Sequence, residues 1–528
     1  ELADGLDIII TDRRGQRSYE DYSVDGGERV MVRCAGRITY VPIVQLWDPH
    51  AETHAFDETH EWQSVDQQTP CYEGGKLVWR PINKIIRHPA PGNLLRVTCN
   101  PGNYSVSITK SHSMLVMTGR GLVVKPGECI CPGDWILTPI CGPPFDPIQK
   151  IDCLDFISSE FLKERQANGK ALKWDSKRIW SRRDQALPRY IRLTEDLGEL
   201  LGLAVAEASM PNTVVFAVGA DRKLARRVCR LLRCVFGLRA GAMGYSSAEA
   251  MRKYCSGQRS YSCQNPKASY QPKAGGGLLA HIFSNMIGKG AENKHIPPFI
   301  FSAPPLSQWA FLRGLIAGDG HVRLRRGGKH CEITVTTVSL RLAQEMIVLC
   351  RQLNIMASVH RHGSAGERGG IKHRESWGVS IGGREPFRVL TRRRVPPGGA
   401  PGKWHGIPRE FIGITRSKNL RIPRTGLHSR WPSGHRIIPQ IRHHAYCKAM
   451  DQLRDWAVLR VSKVESVTPT ASHVYDLEVE GNHSFLAGTG MLLVHNSGGQ
   501  KFQVDLAYRV ALSRRQSHRS GGGIGCLF

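Results

Sequence analysis

The chain has no run of 18 or more apolar residues, so it offers no candidate for a membrane-spanning helix. No stretch of it has the charged-apolar-small order of a secretory signal. Acidic residues are scarce: 45 Asp and Glu stand against 73 Lys and Arg, a formal net charge of +28. That imbalance says nothing about fold, but it favours a polyanionic partner, nucleic acid before membrane. Paired-cysteine chemistry is missing too. The 15 cysteines are odd in number and scattered, none in a CxxC, and the tightest pair, Cys129 and Cys131, is too close for a usual zinc knuckle. They read as small buried hydrophobes in a reducing setting, which points to the cytoplasm. There is no initiator Met, and the last residues, IGCLF, are apolar like the start of a strand. Both ends therefore read as cuts in a longer chain.

What is present is organised in blocks. A length of 528 residues suits about three domains. Residues 23–150 read as β-hairpins: RVMVRC turns at Ala35-Gly36 into RITYVPI, and LLRVTCN turns at Pro101-Gly102 into NYSVSIT. The same texture returns over 459–496, where VYDLEVE, HSFLAG and MLLVHN are separated by Gly481-Asn482 and Gly488-Thr489-Gly490. Two β-rich pieces so far apart form one domain if the insert between them leaves and re-enters at adjacent points.

The intervening 151–458 mixes helix and strand and contains a repeat. TEDLGELLGLAVAEASM sets Gly198, Gly202 and Ala206 four apart, with Glu207 next; LSQWAFLRGLIAGDGHV sets Ala310, Gly314 and Gly318 four apart, with Asp319 next. A small residue every fourth position makes a flat stripe on which two helix backbones approach closely. Glycine costs about 1 kcal/mol against alanine inside a helix, so two such stripes ending in acids need a reason. Leu200 and Leu203 match Leu312 and Leu315 on the outer faces, and the offset of 112 residues suits two similar αββ-rich halves. Residues 384–445 carry 14 Lys and Arg but only two acids, with Trp404 and Trp431 interleaved, as a DNA-contacting extension would.

The chemistry-bearing residues lie at the block edges. Near the end stands His495-Asn496-Ser497. An asparagine amide nitrogen can attack its own carbonyl, cleaving the backbone as a succinimide, and the neighbouring serine hydroxyl can accept an acyl group. Far upstream, Ser23 opens SVDGGERVMVRCAGRITYVPI, and Thr109 and His112 lie in SVSITKSHSMLVM. These segments, in this order, resemble the splicing blocks of inteins, and the part between them resembles a LAGLIDADG homing endonuclease of the DOD type. The resemblance covers Ser23 to Asn496.

It implies a multidomain chain, an all-β Hint (horseshoe) splicing domain interrupted by an α+β LAGLIDADG endonuclease with two pseudo-symmetric halves. The division would be 1–22 host fragment, 23–150 and 459–496 splicing domain, 151–458 endonuclease region, and 497–528 host fragment. Ser23 would attack the Tyr22 carbonyl in an N–O acyl shift, with Thr109 orienting the peptide and His112 supplying the acid. Ser497 would take the acyl group, Asn496 would cyclise, and His495 would polarise its carbonyl. Asp476 in VYDLEV would coordinate the steps and His483 in GNHSF would assist cyclisation. None of this needs a cofactor.

On the nuclease side the resemblance implies Glu207 and Asp319 as a shared divalent-metal pair, with Mg²⁺ as cofactor, acting on double-stranded DNA as a pseudo-dimeric monomer and without a membrane partner. Lys294, in KHIPPFIFSAP, is read either as a catalytic lysine or as a phosphate contact or solvated residue. Two departures stand out: Ala208 where the family usually has Gly, and Ala317 where an Asp is common. A methyl at 208 is expected to press on the helix pair. Joining Tyr22 to Ser497 gives SYEDYSGGQKFQVDLAYRVALSRR, in which SGGQ before an amphipathic helix resembles the signature of SMC-like and SbcC-like ABC ATPases. The alternatives are an insert that splices and binds DNA without cutting it, an unspliced ATPase subunit with a large decoration, cleavage without ligation, and a Hedgehog-like autoprocessing domain, which shares the fold but lacks the terminal His-Asn-nucleophile.

Overall fold

The computed structural model describes residues 22–118, 121–182, 184–245, 269–325, 330–368, 371–393 and 453–495. Strands from both ends of the chain interleave in one large antiparallel sheet. Across it run Arg37–Pro42, Arg29–Cys34, Ser484–Ala487, Leu492–His495, Ser113–Thr118, Trp135–Pro139, Trp456–Val467, Leu94–Asn100, Tyr104–Ile108, Val24–Asp25 and His473–Val479, and the long hairpin Glu61–Glu73/Lys76–Pro89 continues it. The turn chemistry follows the sequence. Ala35 and Gly36 both take positive φ, 46° and 77°, the pair of left-handed residues that matches the twist of a two-residue hairpin. The hairpin Ser484–Ala487/Leu492–His495 turns through Gly488, Gly490 and Met491, all at positive φ.

The inserted region contains two copies of one αββαββα unit. In the first, the helix Glu195–Glu207 precedes a sheet ordered Ala208–Ser209, Val214–Phe216, Ser269–Ala274, Gly241–Tyr245, with helices Arg222–Phe236 and Gly277–Ile287. In the second, Pro305–Asp319 precedes Gly320–Arg325, His330–Thr337, Ser376–Gly382, Ala357–Gly363 in the same order, with Leu340–Gln352 and Arg384–Thr391. Local signals start both leading helices. The Thr194 hydroxyl caps the first by accepting from the Leu197 amide, with Glu195 and Asp196 in its first turn, while Pro occupies the first position of the second.

The two leading helices pack along their small-residue stripes, and the contact is two-fold. A methyl at Gly202 would drive into the Phe311 carbonyl and lie 2.7 Å from the Leu315 nitrogen. A methyl at Gly314 would drive into the Glu199 carbonyl and lie 2.9 Å from the Leu203 nitrogen. Gly202 and Gly314, Glu199 and Phe311, and Leu203 and Leu315 are each 112 residues apart, so each helix reads the other through equivalent atoms. Leu200, Leu203, Leu312 and Leu315 are fully buried. The faces they occupy are inner faces of each half, the first covered by Arg222–Phe236 and Gly277–Ile287.

Candidate functional site

Ser23 is fully buried at the entrance to the short strand Val24–Asp25, which pairs with Tyr104–Ile108 on one side and His473–Val479 on the other. Thr109 clamps its backbone twice: the Ser23 N–H donates to Thr109 Oγ1 at 3.0 Å, and the Thr109 N–H donates to the Ser23 carbonyl at 2.9 Å. The nitrogen of the Tyr22–Ser23 peptide bond is therefore fixed by a hydroxyl. From Thr109 the chain tightens to His112, whose N–H donates to the Thr109 carbonyl and whose own carbonyl accepts from Gly127 at 2.8 Å. The His112 ring is buried, 6.2 Å from the Phe485 ring.

Buried polar atoms are nearly always hydrogen-bonded. Here Ser23 Oγ, both ring nitrogens of His112 and Nδ1 of His495 find no partner among the described residues. His495 lies across from Ser113 on one side and Ser484 on the other, which brings the end of the described chain beside the Thr109–His112 turn. His483 stands 6.3 Å away, ring to ring. Burial, and then the neighbouring His495, push the His112 pKa down to about 3; burial, and then His483, push His495 down to about 4. Both imidazoles are uncharged at neutral pH. Asn496 and Ser497 lie outside the described residues, as do 1–21 and most of the basic 384–445 stretch. Asp476 is buried on the strand paired with Val24–Asp25, next to Tyr475, and its Oδ1 accepts from the Leu477 N–H at 2.8 Å. Burial raises its carboxyl well above the usual carboxylate range, with the Leu477 N–H pulling the other way.

At the far ends of the paired helices the stripes bring Glu207 and Asp319 together. A methyl at Gly318 would come within 2.5 Å of Ala206 Cβ and 3.0 Å of Glu207 Cγ, so only one methyl fits at this level and it belongs to Ala206. Asp319 is exposed as a residue, yet desolvation by the packed surroundings and then Glu207's charge push its carboxyl up to about 7, with Lys294 pulling the other way. Glu207 is half-buried and raised as well, by desolvation. Lys294 is neither solvated nor pointed at the surface. It is buried, and its ammonium donates to the carbonyls of Ala204 at 2.9 Å and Ala208 at 2.8 Å, closing the end of the first helix. Its pKa falls to about 8 by desolvation, opposed by Asp319. The expected pressure of the Ala208 methyl on the helix pair is not found. Ala208 has left the helix, at φ −87° and ψ 140°, where an L-residue sits without strain. Ala317 is exposed.

Two converging carboxylates, both raised by desolvation and Asp319 further by Glu207's charge, are the donor set a hard cation would relieve, and Mg²⁺ is commonly held by one or two carboxylates plus water and phosphate oxygens. The residues fit such an ion. Among the described residues no group of three or more His, Cys, Asp or Glu assembles into a metal cage.

The model of the intein splicing domain family matches residues 36–496. The chain belongs to the intein splicing family. A DNA polymerase of Thermococcus sp. (strain GE8) is 31% identical over 223 residues, which are 41% of this intein chain and 11% of the polymerase. A DNA polymerase of Thermococcus litoralis is 23% identical over 510 residues, 91% of this chain and 23% of that protein. Among solved structures, the homing endonuclease I-DmoI in mesophilic variants overlaps 38% of this chain and 94% of its own, at 12% identity and a TM-score of 0.25. The chain spans about a tenth to a third of the length of the first curated relatives it matches. No described helix of the intein is long and apolar enough to cross a membrane.

Sequence reading missed one supporting residue of the intein's buried cluster. A methyl at Gly127 would come within 2.9 Å of the Thr109 carbonyl and 3.0 Å of the His112 carbonyl, so the loop that closes over the TxxH turn has room only for glycine. Its signal was the Pro126-Gly127 pair, which reads as an ordinary turn.

Proposed function

We propose that this intein splices through Ser23, Ser497 and Asn496, and that its insert is a metal-dependent homing endonuclease. The observation that carries the splicing assignment is the set of buried atoms without a partner among the described residues, Ser23 Oγ and the His112 ring nitrogens, beside a backbone clamped by Thr109. Neutral His112 takes the Ser23 hydroxyl proton as Oγ attacks the Tyr22 carbonyl carbon. The Tyr22–Ser23 C–N bond breaks and the proton passes to the Ser23 nitrogen, leaving an ester and an amine. The acid for the departing nitrogen is thus the proton His112 has just received, not a resident imidazolium. Ser497 Oγ then attacks the ester carbonyl and displaces Ser23 Oγ, which takes the proton. The Asn496 side-chain nitrogen attacks its own carbonyl, helped by His495 and His483, and the Asn496–Ser497 bond breaks with a proton passing to the new amine. The remaining ester relaxes to an amide. Asp476, its carboxyl raised by burial, serves as the shared acid between these steps.

For the insert, what supports nuclease action is the convergence of Glu207 and Asp319 at the ends of symmetric helices within a strongly basic chain. Mg²⁺ held there would supply Lewis-acid stabilisation and an activated water. Lys294 holds the end of the first acid's helix in place. Double-stranded DNA is the proposed substrate, the uninterrupted host gene in particular. The host reading is an SMC-like or SbcC-like ABC ATPase interrupted within SGGQ. Expression of the chain followed by mass spectrometry tests the junctions: the ligated product should yield the tryptic peptide SYEDYSGGQK, with Tyr22 bonded to Ser497. A product that keeps Val24 after that tyrosine would move the boundary and undo both the nucleophile and the host assignment.

A further inference from the structure

The third element of each half is a helix, and the two copies differ in what they face. Aligning Leu224-Ala225 with Leu342-Ala343 sets Arg226 against Gln344, Arg227 against Glu345, Arg230 against Val348 and Arg233 against Arg351. In the first copy Arg226, Arg230 and Arg233 are exposed; in the second Val348 and Arg351 are fully buried and Glu345 nearly so. The second helix has exchanged a solvated basic face for one packed against the splicing domain.

Its polar groups converge there on one turn, 488–491, which joins the two strands of the hairpin ending at His495. Gln344 Nε2 donates to Thr489 Oγ1 at 2.8 Å. Glu345 pairs with the buried Arg29 at 3.3 Å, and the Arg29 carbonyl accepts from the Gly488 N–H at 3.0 Å. Arg29 also stacks over Tyr40, whose hydroxyl donates to the Gly488 carbonyl at 2.8 Å. Arg351 donates to the Tyr104 hydroxyl at 2.7 Å, and the Tyr104 ring lies so close on Gly490 that no side chain fits between them. Gly488, Thr489 and Gly490 are each held, directly or through one residue, by this helix.

We propose that the helix Leu340–Gln352 of the inserted region is a working part of the splicing machine, with Gln344, Glu345 and Arg351 as positioning residues that fix the 488–491 turn and thereby the placement of His495. This rests on the reading that the hairpin carries the downstream splice junction. A charged pair this deeply buried is costly to half-remove, and misplacement of reacting groups by about 1 Å costs up to about 10²-fold in rate. The upstream junction depends instead on the Thr109 clamp, so loss of the turn's support should fall on one junction more than the other.

The test uses the full chain. The upstream step is read as hydroxylamine-sensitive cleavage after Tyr22, and the downstream step as release at Asn496. Gln344→Ala and Thr489→Val should each slow downstream release on the order of tenfold while leaving the hydroxylamine-sensitive fraction within about twofold. The double variant should be no slower than either alone, because both remove the same bond. Gln344→Glu, which can accept from the Thr489 hydroxyl, should restore release. Arg374→Ala, in an exposed ion pair of the same region, is the control. Equal slowing of both steps in Gln344→Ala, without rescue by Glu, would mean a general packing defect and overturn the positioning role. Unchanged release in Gln344→Ala and Arg351→Met would overturn it as well. If the unsubstituted chain releases nothing at Asn496, the splice-junction reading fails, and this proposal fails with it.

Discussion

Around Ser23 the polar atoms are buried and burial disfavours charge: His112 and His495 are held as neutral imidazoles, and the Asp476 carboxyl is raised well above its usual range. Around Glu207 and Asp319 the acids stand at helix ends reachable by solvent, both raised by desolvation and Asp319 further by Glu207's charge. The first arrangement suits a substrate that is already part of the chain, since nothing needs to enter and every orphaned atom can wait for the neighbouring residues. The second suits an external ligand that brings countercharge. The helix Leu340–Gln352 belongs to the second region by its place in the repeat and to the first by its contacts, so the two regions are separable in chemistry and not in packing.

The hardest test of the buried cluster removes a nucleophile. Asn496→Ala has no amide to cyclise and should abolish release at the downstream junction while leaving the upstream ester detectable with hydroxylamine. Ser23→Ala should do the reverse, removing the ester altogether. Normal ligated product from either variant, seen by intact-mass measurement, would end the assignment. Next in size, Asp319→Asn keeps the side chain's volume but weakens its hold on a cation. Metal-dependent cutting of the uninterrupted junction DNA should drop by on the order of 10²–10³-fold, with DNA affinity and splicing nearly unchanged. Affinity should instead fall steeply with salt, because the basic surface supplies it. Equal cutting by both proteins would show that the acids at 207 and 319 are not the active pair.

A smaller effect probes the helix contact itself. In an exposed helix Gly→Ala stabilises by about 1 kcal/mol. At Gly202 and at Gly314 the added methyl meets backbone of the partner helix, so the sign should invert to a loss of about 1–3 kcal/mol or more. The two losses should be similar, because the atoms encountered are equivalent under the two-fold relation. Chemical denaturation of both variants gives the comparison. A stabilised Gly202→Ala protein would mean that the helices stand too far apart for this methyl to meet the Phe311 carbonyl.

The paired helices were legible because spacing alone reports them: small residues every fourth position, an acid at the end, and a second copy 112 residues on. The Ala35-Gly36 hairpin was legible because Gly36 takes positive φ without steric cost between two alternating β-branched runs. The intein family and the β-rich character of the splicing part followed from short segments whose order carried the information. What stayed hidden depends on contacts between distant residues. Lys294 reads equally as a catalytic lysine, a phosphate contact or a solvated residue, because nothing local to KHIPPF says that its ammonium will bond two carbonyls some 90 residues upstream. The concern over Ala208 arose because the residue reads as helical in sequence, whereas the helix ends at Glu207. The bonds from Gln344, Glu345 and Arg351 to the splicing domain join positions more than 140 residues apart, and their only local trace is a helix with too few exposed polar positions.

The smallest expected effects are in pH, and they separate the two regions most cleanly. His112 is needed neutral to take the Ser23 proton, and with a pKa near 3 it is already neutral well below physiological pH. The hydroxylamine-sensitive fraction should therefore form at a nearly constant rate from about pH 5 to about pH 8. An unperturbed imidazole near 6.5 would cost about a tenfold loss by about pH 5.5. Because the folded-state pKa lies below the unfolded one, His112 favours the folded state fully above about 6.5 and progressively less as pH falls toward 3. Acid should thus unfold the chain before it inhibits the chemistry. Asp319 behaves oppositely. With its carboxyl near 7, it is protonated below that point and binds a cation weakly, so apparent Mg²⁺ affinity should rise by about tenfold from about pH 6 to about pH 8. Calorimetric titration of Mg²⁺ at the two pH values measures this without DNA or turnover, and Asp319→Asn should flatten it. A pH-independent affinity in the unsubstituted chain would mean that Asp319 ionises normally and that the two acids do not share a site.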